Sequence, residues 1–336
     1  SLNPSATGRA FLKALLRLSN KTGLCPKALQ LSHQVHKGED PVDEGSFGEV
    51  YRGNVANRTV AVKVFRVNQR TDMSKLMKTV WREAIIWCQL CHANVLPCYG
   101  IHRLSNSNRI GLVSPWMESG NIVDYLKGSP SSNRLLLLKD IASGLSYLHK
   151  NKIVHGDLKG PNILVSTSGR ACLADFGLSR LADPALLGWT SVRTGTAKST
   201  GTARWQAPEL LDPDDEADPK TTTASDVYSY GCVGYEIMTG NVPFHTTKNH
   251  YSIPMLVVAG HRPPKPYFTD PACQEYGLTE PIWSFIEASW KQDPDSRPTA
   301  SELQQNEIFS PLVDHRPTQD WGETSAAEFR RWAVPS

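Results

Sequence analysis

The stretch IVHGDLKGPNILV, residues Ile153–Val165, decides how this chain is read. Two apolar ends enclose a polar centre with the spacing His155-x-Asp157-x-Lys159-x-x-Asn162. At loop distance comes DFG, Asp175–Gly177. At average residue usage this combination has a chance probability on the order of one in a million.

Outward from that centre the organisation changes character. From about His36 to Trp116 the chain runs in short β-rich segments, GEVYRG, TVAVKVFRV and RIGLVSPW. A single amphipathic helix interrupts them around Met73–Leu90, where Leu76, Val80, Glu83 and Trp87 share a face at helical period. Lys63 lies in an alternating strand, where a lysine is costly unless paired, and Glu83, a lone acid among apolar neighbours, is the obvious partner. After Glu118 the pattern is mostly helical, as in RLLLLKDIASGLSYLHKN and ASDVYSYGCVGYEIMTG. A sheet-rich lobe before a helix-rich lobe predicts an α+β arrangement with a cleft between them. The first 36 residues carry a helical stretch, AFLKALLRL, then TGLCPKALQL, where Gly23 and Pro26 break the pattern. DPDDEADPK (212–220) reads as a solvated loop, and the tail with Trp321 and Trp332 has no assigned place.

Bulk properties exclude little and agree with an ordinary globular protein. The 336 residues are 40% hydrophobic and 21% charged, enough for a large core. A formal charge of +3 creates no demand for nucleic acid or an anionic membrane. Apolar runs such as Leu135–Leu138 are far too short to span a bilayer. The chain begins with Ser1 rather than Met, as expected of a fragment or a processed product. Seven scattered cysteines fit reduced thiols in a cytoplasmic or nuclear protein. CQLCH (Cys88, Cys91, His92) matches a haem-attachment pattern, but no second C-x-x-C completes a zinc site. These residues are expected at a helix end and the turn after it.

The order DEGSFGEV, VAVK ending at Lys63, Glu83, HGDLKGPN, DFG, and APE at Ala207–Glu209 resembles the eukaryotic protein kinase family. The resemblance covers roughly 37–309 and implies a two-lobed kinase fold, with a small antiparallel-sheet N-lobe (37–117) and a larger helical C-lobe (118–309). Residues 1–36 are then an N-terminal flanking segment and 310–336 a C-terminal tail. It implies ATP and Mg2+ as cofactors, with a protein substrate carrying serine or threonine. In that frame Asp157 accepts or orients the proton of the attacking hydroxyl, and Lys159 sets a positive charge near the transferred group. Asn162 and Asp175 hold the magnesium ions, which want oxygen ligands. Lys63 and Glu83 together grip the α- and β-phosphates. Val42, Val50, Ala61 and Leu164 match the apolar positions around the adenine, with Gly45 and Gly48 in the glycine-rich loop. Ser114 fits the gatekeeper position, Pro115 offers a hinge carbonyl and Met117 a hinge N–H. Glu209 and Arg297 form the large lobe's ion pair, and Asp226 braces the catalytic loop.

Three positions depart from the family pattern. Gly156 replaces an arginine that normally contacts a phosphorylated activation segment, so activity is expected to depend less on phosphorylation of Thr190, Ser191, Thr194, Thr196, Ser199 or Thr200. Asp43 replaces the first glycine of the loop and, with Glu44, weakens ATP binding unless both side chains point to solvent. Trp87 is larger than the usual residue at its place. Lys159 and Thr202 resemble the serine/threonine type, and GTARWQAPEL with GNIVDYLK resembles the tyrosine-kinase-like group. HGDLKGPNILV and TGLCPKALQL resemble kinases of mushroom-forming fungi. The rival readings are a pseudokinase acting as an ATP-binding signalling scaffold, supported by Asp43 and Gly156, and a small-molecule phosphotransferase, disfavoured by APE and the GT element.

Overall fold

Alternating apolar residues build the first half of the chain around a sheet. The computed structural model describes residues 6–31, 35–44, 48–55, 57–65, 73–104, 109–176, 180–181, 202–212, 220–317, 326 and 329. These fall into two units, Ser1–Glu118 with Thr318–Ser336, and Ser119–Pro317.

In the first unit six strands are described: β1 (His36–Lys37), β2 (Asp43–Glu44), β3 (Gly48–Val55), β4 (Arg58–Phe65), β5 (Gly100–Arg103) and β6 (Ile110–Pro115). They form one antiparallel sheet in the order β1-β3-β4-β6-β5, with β2 paired to β3. On β4 the period of two puts Val60, Val62 and Val64 into a core cluster with Tyr51, Tyr99 and Val113. Ala61 and Lys63 therefore take the opposite face. Helix α1 (Ala6–Thr22) packs on α2 (Met73–Trp87), burying Leu12 and Leu16, and the Trp81 indole N–H donates to the Gly23 carbonyl at 3.1 Å. The flank after α1 continues into the sheet, where the Leu31 amide donates to the Ile101 carbonyl at 2.8 Å. Cys88 follows α2 directly and is buried, with Cys91 and His92 in the turn beyond it.

The second unit is helical. It contains α3 (Ile122–Gly128), α4 (Arg134–Lys150), α5 (Thr223–Thr239), α6 (Ile253–Val258), α7 (Pro271–Gln274), α8 (Glu280–Ser289) and α9 (Ala300–Gln304). Local chemistry starts and stops these helices. Asn121 caps α3 by accepting from the amides of Val123 and Asp124, and a Thr222–Ser225 capping box opens α5. Gly240, at φ +73°, ends α5. α4 and α5 pack together, α4 also against α9 and α5 against α8. The fully buried rings of Tyr228, Tyr230 and Tyr235 lie on α5. Two short ladders, β7 (Ile153–Val154) with β10 (Arg180–Leu181) and β8 (Ile163–Val165) with β9 (Ala171–Leu173), frame the stretch Ile153–Val165. Among the described residues no helix is long and apolar enough to cross a membrane.

Candidate active site

In the first unit the expected lysine–glutamate pair forms. Lys63 Nζ lies 2.9 Å from Glu83 Oε1, with the two side chains 13% and 2% exposed. Such a pair costs several kcal/mol of desolvation per ion and needs good geometry to recover it, so it points to a function for the lysine beyond packing. Val50 stands opposite Lys63 in the ladder, and Ala61 opposite Ser114. Ser114, Pro115 and Met117 are buried, while Val42 is 60% exposed. Gly48 has a steric reason to be glycine, because a Cβ there would run into the Val64 carbonyl oxygen. Gly45 lies outside the described residues. Asp43 and Glu44 are both exposed, which meets the condition under which their charge does not oppose phosphate binding. Trp87 also gains an account: its indole N–H donates to the Leu96 carbonyl at 2.6 Å in the buried interior, a bond a smaller apolar residue could not make.

In the second unit one carboxylate organises the catalytic loop. Asp157 Oδ2 sits 2.8 Å from Lys159 Nζ and accepts from Asn162 Nδ2 at 2.8 Å. Asn162 Nδ2 also donates to the Asp157 carbonyl at 2.7 Å. Lys159 Nζ donates in addition to Thr202 Oγ1 at 3.3 Å. Burial raises the Asp157 pKa above the usual carboxylate value; the Lys159 charge and hydrogen bond oppose that shift, and the charge of Asp175 adds to it. Asp175 adopts φ +58°, a left-handed conformation that is rare for a non-glycine residue and occurs at functional sites. The ring of the next residue, Phe176, packs against His155 with centroids 5.4 Å apart. Leu164 is half-buried on β8. Gly177 and the six activation-segment hydroxyl residues lie outside the described residues.

Asn162 and Asp175 offer an amide and a carboxylate, a hard oxygen donor set. Mg2+ keeps most of its shell as water and phosphate oxygen and takes only one or two such groups from protein, so these two residues fit it.

The loop itself hangs on Asp226. Its Oδ2 accepts from the His155 amide at 2.8 Å and its Oδ1 from the Gly156 amide at 2.9 Å, as expected of a brace. Gly156 takes φ +83°, which glycine adopts freely and arginine would adopt under strain. Arg297 grips Glu209 through two parallel bonds of 2.8 Å each. Glu236 went unread in the sequence. Its Oε2 accepts from the Gly160 amide and the Trp205 indole N–H, both at 3.1 Å, and burial pushes its pKa up to about 7. A lone acid inside an apolar helix was the available signal, the same one that marks Glu83.

Comparison with known proteins agrees with this chemistry. Residues 37–306 match the family described as protein tyrosine and serine/threonine kinase. Serine/threonine-protein kinase STY46 of Arabidopsis thaliana is 33% identical over 267 residues, 78% of this chain and 42% of that protein. Serine/threonine-protein kinase TNNI3K of Homo sapiens is 30% identical over 268 residues, 78% of this chain and 30% of that protein. Mitogen-activated protein kinase kinase kinase 10 of Xenopus laevis is 29% identical over 320 residues, 88% of this chain and 29% of that protein. The chain thus spans less than half the length of each of these three relatives.

Proposed function

The chain belongs to the protein tyrosine and serine/threonine kinase family, and from that premise we propose that it transfers the γ-phosphoryl group of ATP to serine and threonine hydroxyls of protein substrates. One observation carries the reading: Asp157 Oδ2 lies 2.8 Å from both Lys159 Nζ and Asn162 Nδ2 in a buried loop. Phosphoryl transfer asks for positioning and charge neutralisation. Asp157 orients the substrate hydroxyl and takes its proton as the oxygen bonds to phosphorus and ADP leaves. Lys159 offsets the negative charge of the group in transit. Asn162 and Asp175 would hold Mg2+, which supplies charge neutralisation at the phosphates when bound. In the first unit, Glu83 keeps Lys63 extended and charged, ready to contact nucleotide phosphate. The scaffold alternative loses support, since Asp43 is exposed and Gly156 takes a backbone conformation suited to glycine. The serine/threonine names of the relatives support the acceptor class.

The test is transfer from Mg-ATP to basic proteins by wild type beside Asp157→Asn, followed by phosphoamino-acid analysis. Phosphoserine or phosphothreonine is expected from wild type, with at least a hundredfold loss in the variant. A folded wild type that binds Mg-ATP and transfers nothing would overturn the proposal.

A further inference from the structure

Beyond the helical unit the chain carries an aromatic side chain, Phe329, that is buried in the sheet-bearing unit. Phe329 has no exposed surface and shares the core cluster of Val60, Val62, Val64 and Val113. Its ring stacks on Tyr99 with centroids 4.0 Å apart and planes 10° from parallel. The Arg58 guanidinium lies 5.8 Å from the ring centroid, within cation–π range. Ala326, a turn earlier in sequence, packs partly buried against the same cluster.

The face that Phe329 covers belongs to the strand with the nucleotide chemistry. On β4, Val60, Val62 and Val64 alternate with Ala61 and Lys63. A backbone shift at the valines is therefore also a shift at Lys63, which shares their strand. In the second unit Arg170 Nη2 donates to the Arg316 carbonyl at 2.7 Å, Arg170 Nε donates to the Pro317 carbonyl, and Arg316 pairs with buried Asp140. Phe329 lies outside the residues 37–306 that match the family.

We propose that Phe329 is a positioning residue, and that the first unit's sheet carries a socket for an aromatic side chain which the chain's own C-terminal segment fills. Filling the socket fixes β4 and, through it, Lys63 against the nucleotide phosphates. This rests on the kinase reading above. Lys63 meets the nucleotide phosphates in the ground state and the transition state alike, so a cavity behind β4 that loosens it weakens nucleotide binding more than turnover.

The full chain carrying Phe329→Ala should show KM and direct Kd for Mg-ATP raised about tenfold, with kcat changed much less. A synthetic peptide of residues 318–336, supplied at about 1 mM to approach the concentration of a tethered segment, should restore both values. The same peptide with Phe329→Ala should not. Phe329→Leu keeps an apolar side chain without the ring and should give an intermediate KM; it decides the matter if the alanine variant aggregates. Wild-type KM and Kd in a folded variant would overturn the proposal, as would equal effects of the two peptides. The Kd comparison reads the socket even if wild type transfers no phosphate, so the two proposals fail separately.

Discussion

Replacing Glu236 with glutamine tests whether the catalytic loop rests on a carboxyl that titrates near neutrality. An ordinary glutamate loses its proton near 4.5, whereas burial holds that of Glu236 up to about 7. Between those values the folded protein carries a proton that the unfolded chain has released. By linkage, unfolding free energy must then fall as pH rises. The contribution is fully present below 4.5 and gone above 7. The gap is worth roughly 3 kcal/mol, of which about 2 kcal/mol falls between pH 5 and pH 8.5. Glutamine has no such slope. Glu236 Oε1 has no hydrogen-bond partner among the described residues, so a carboxamide there costs about 1–3 kcal/mol. That penalty is the same at every pH and cancels from the comparison. The assay is urea unfolding of both proteins from pH 5 to pH 8.5, followed by tryptophan fluorescence. Glu236→Gln should gain about 2 kcal/mol on wild type as pH rises. Parallel stability profiles would refute the reasoning, and with it the view that the Gly160 amide rests on a carboxyl poised to ionise.

Two further substitutions probe ion pairs of different purpose. Glu83→Gln leaves Lys63 with a neutral partner and should lower kcat/KM for ATP about a hundredfold while the circular dichroism stays that of wild type; unchanged kinetics would remove the pair from the machinery. Arg297→Ala strips a side chain with no exposed surface from Glu209 and from the carbonyls of Lys291, Ala224 and Gln292, and should cost about 3–5 kcal/mol in urea unfolding. A loss under about 1 kcal/mol would mean that this pair does not hold the second unit together.

What the sequence disclosed was chemistry confined to short windows. His155 to Asn162 could be read because the loop's functional groups lie within eight positions of one another, and their spacing is improbable by chance. Lys63 and Glu83 could be read because each is a charge in an apolar period, which demands a partner. Glu236 met the same criterion on α5 but belonged to no recognised pattern, and its partners Gly160 and Trp205 are distant in sequence. Trp87 looked like an oversized packing residue because the Leu96 carbonyl that receives its N–H cannot be inferred from either residue alone. Phe329 was the least legible. Its tail is polar and carries two tryptophans that draw more attention, and the cluster it joins is assembled from β3, β4, β6 and the chain around Tyr99.

A strand has two faces, and motif recognition reads only the one that does chemistry. On β4 the motif VAVK names Ala61 and Lys63, whereas Val60, Val62 and Val64 appear only as unremarkable apolar spacers. Those spacers still have to be removed from water, at about 25 cal/mol for each Å² of apolar surface. Leu31 and Val35 from the N-terminal flank and Phe329 from the C-terminal one share that burial. The residues that match the family begin at 37 and end at 306, so all three lie outside the matched region while sharing the core behind the reactive lysine. Function fixes the residues on the reactive face within narrow limits, because the phosphate chemistry is demanding. The opposite face requires only apolar volume, and any part of the chain that can reach it can supply that volume. Here both flanks do so. If Phe329 positions β4 as proposed, the placement of Lys63 rests on residues that carry no motif, and regulation acting through them would touch no phosphate-binding group.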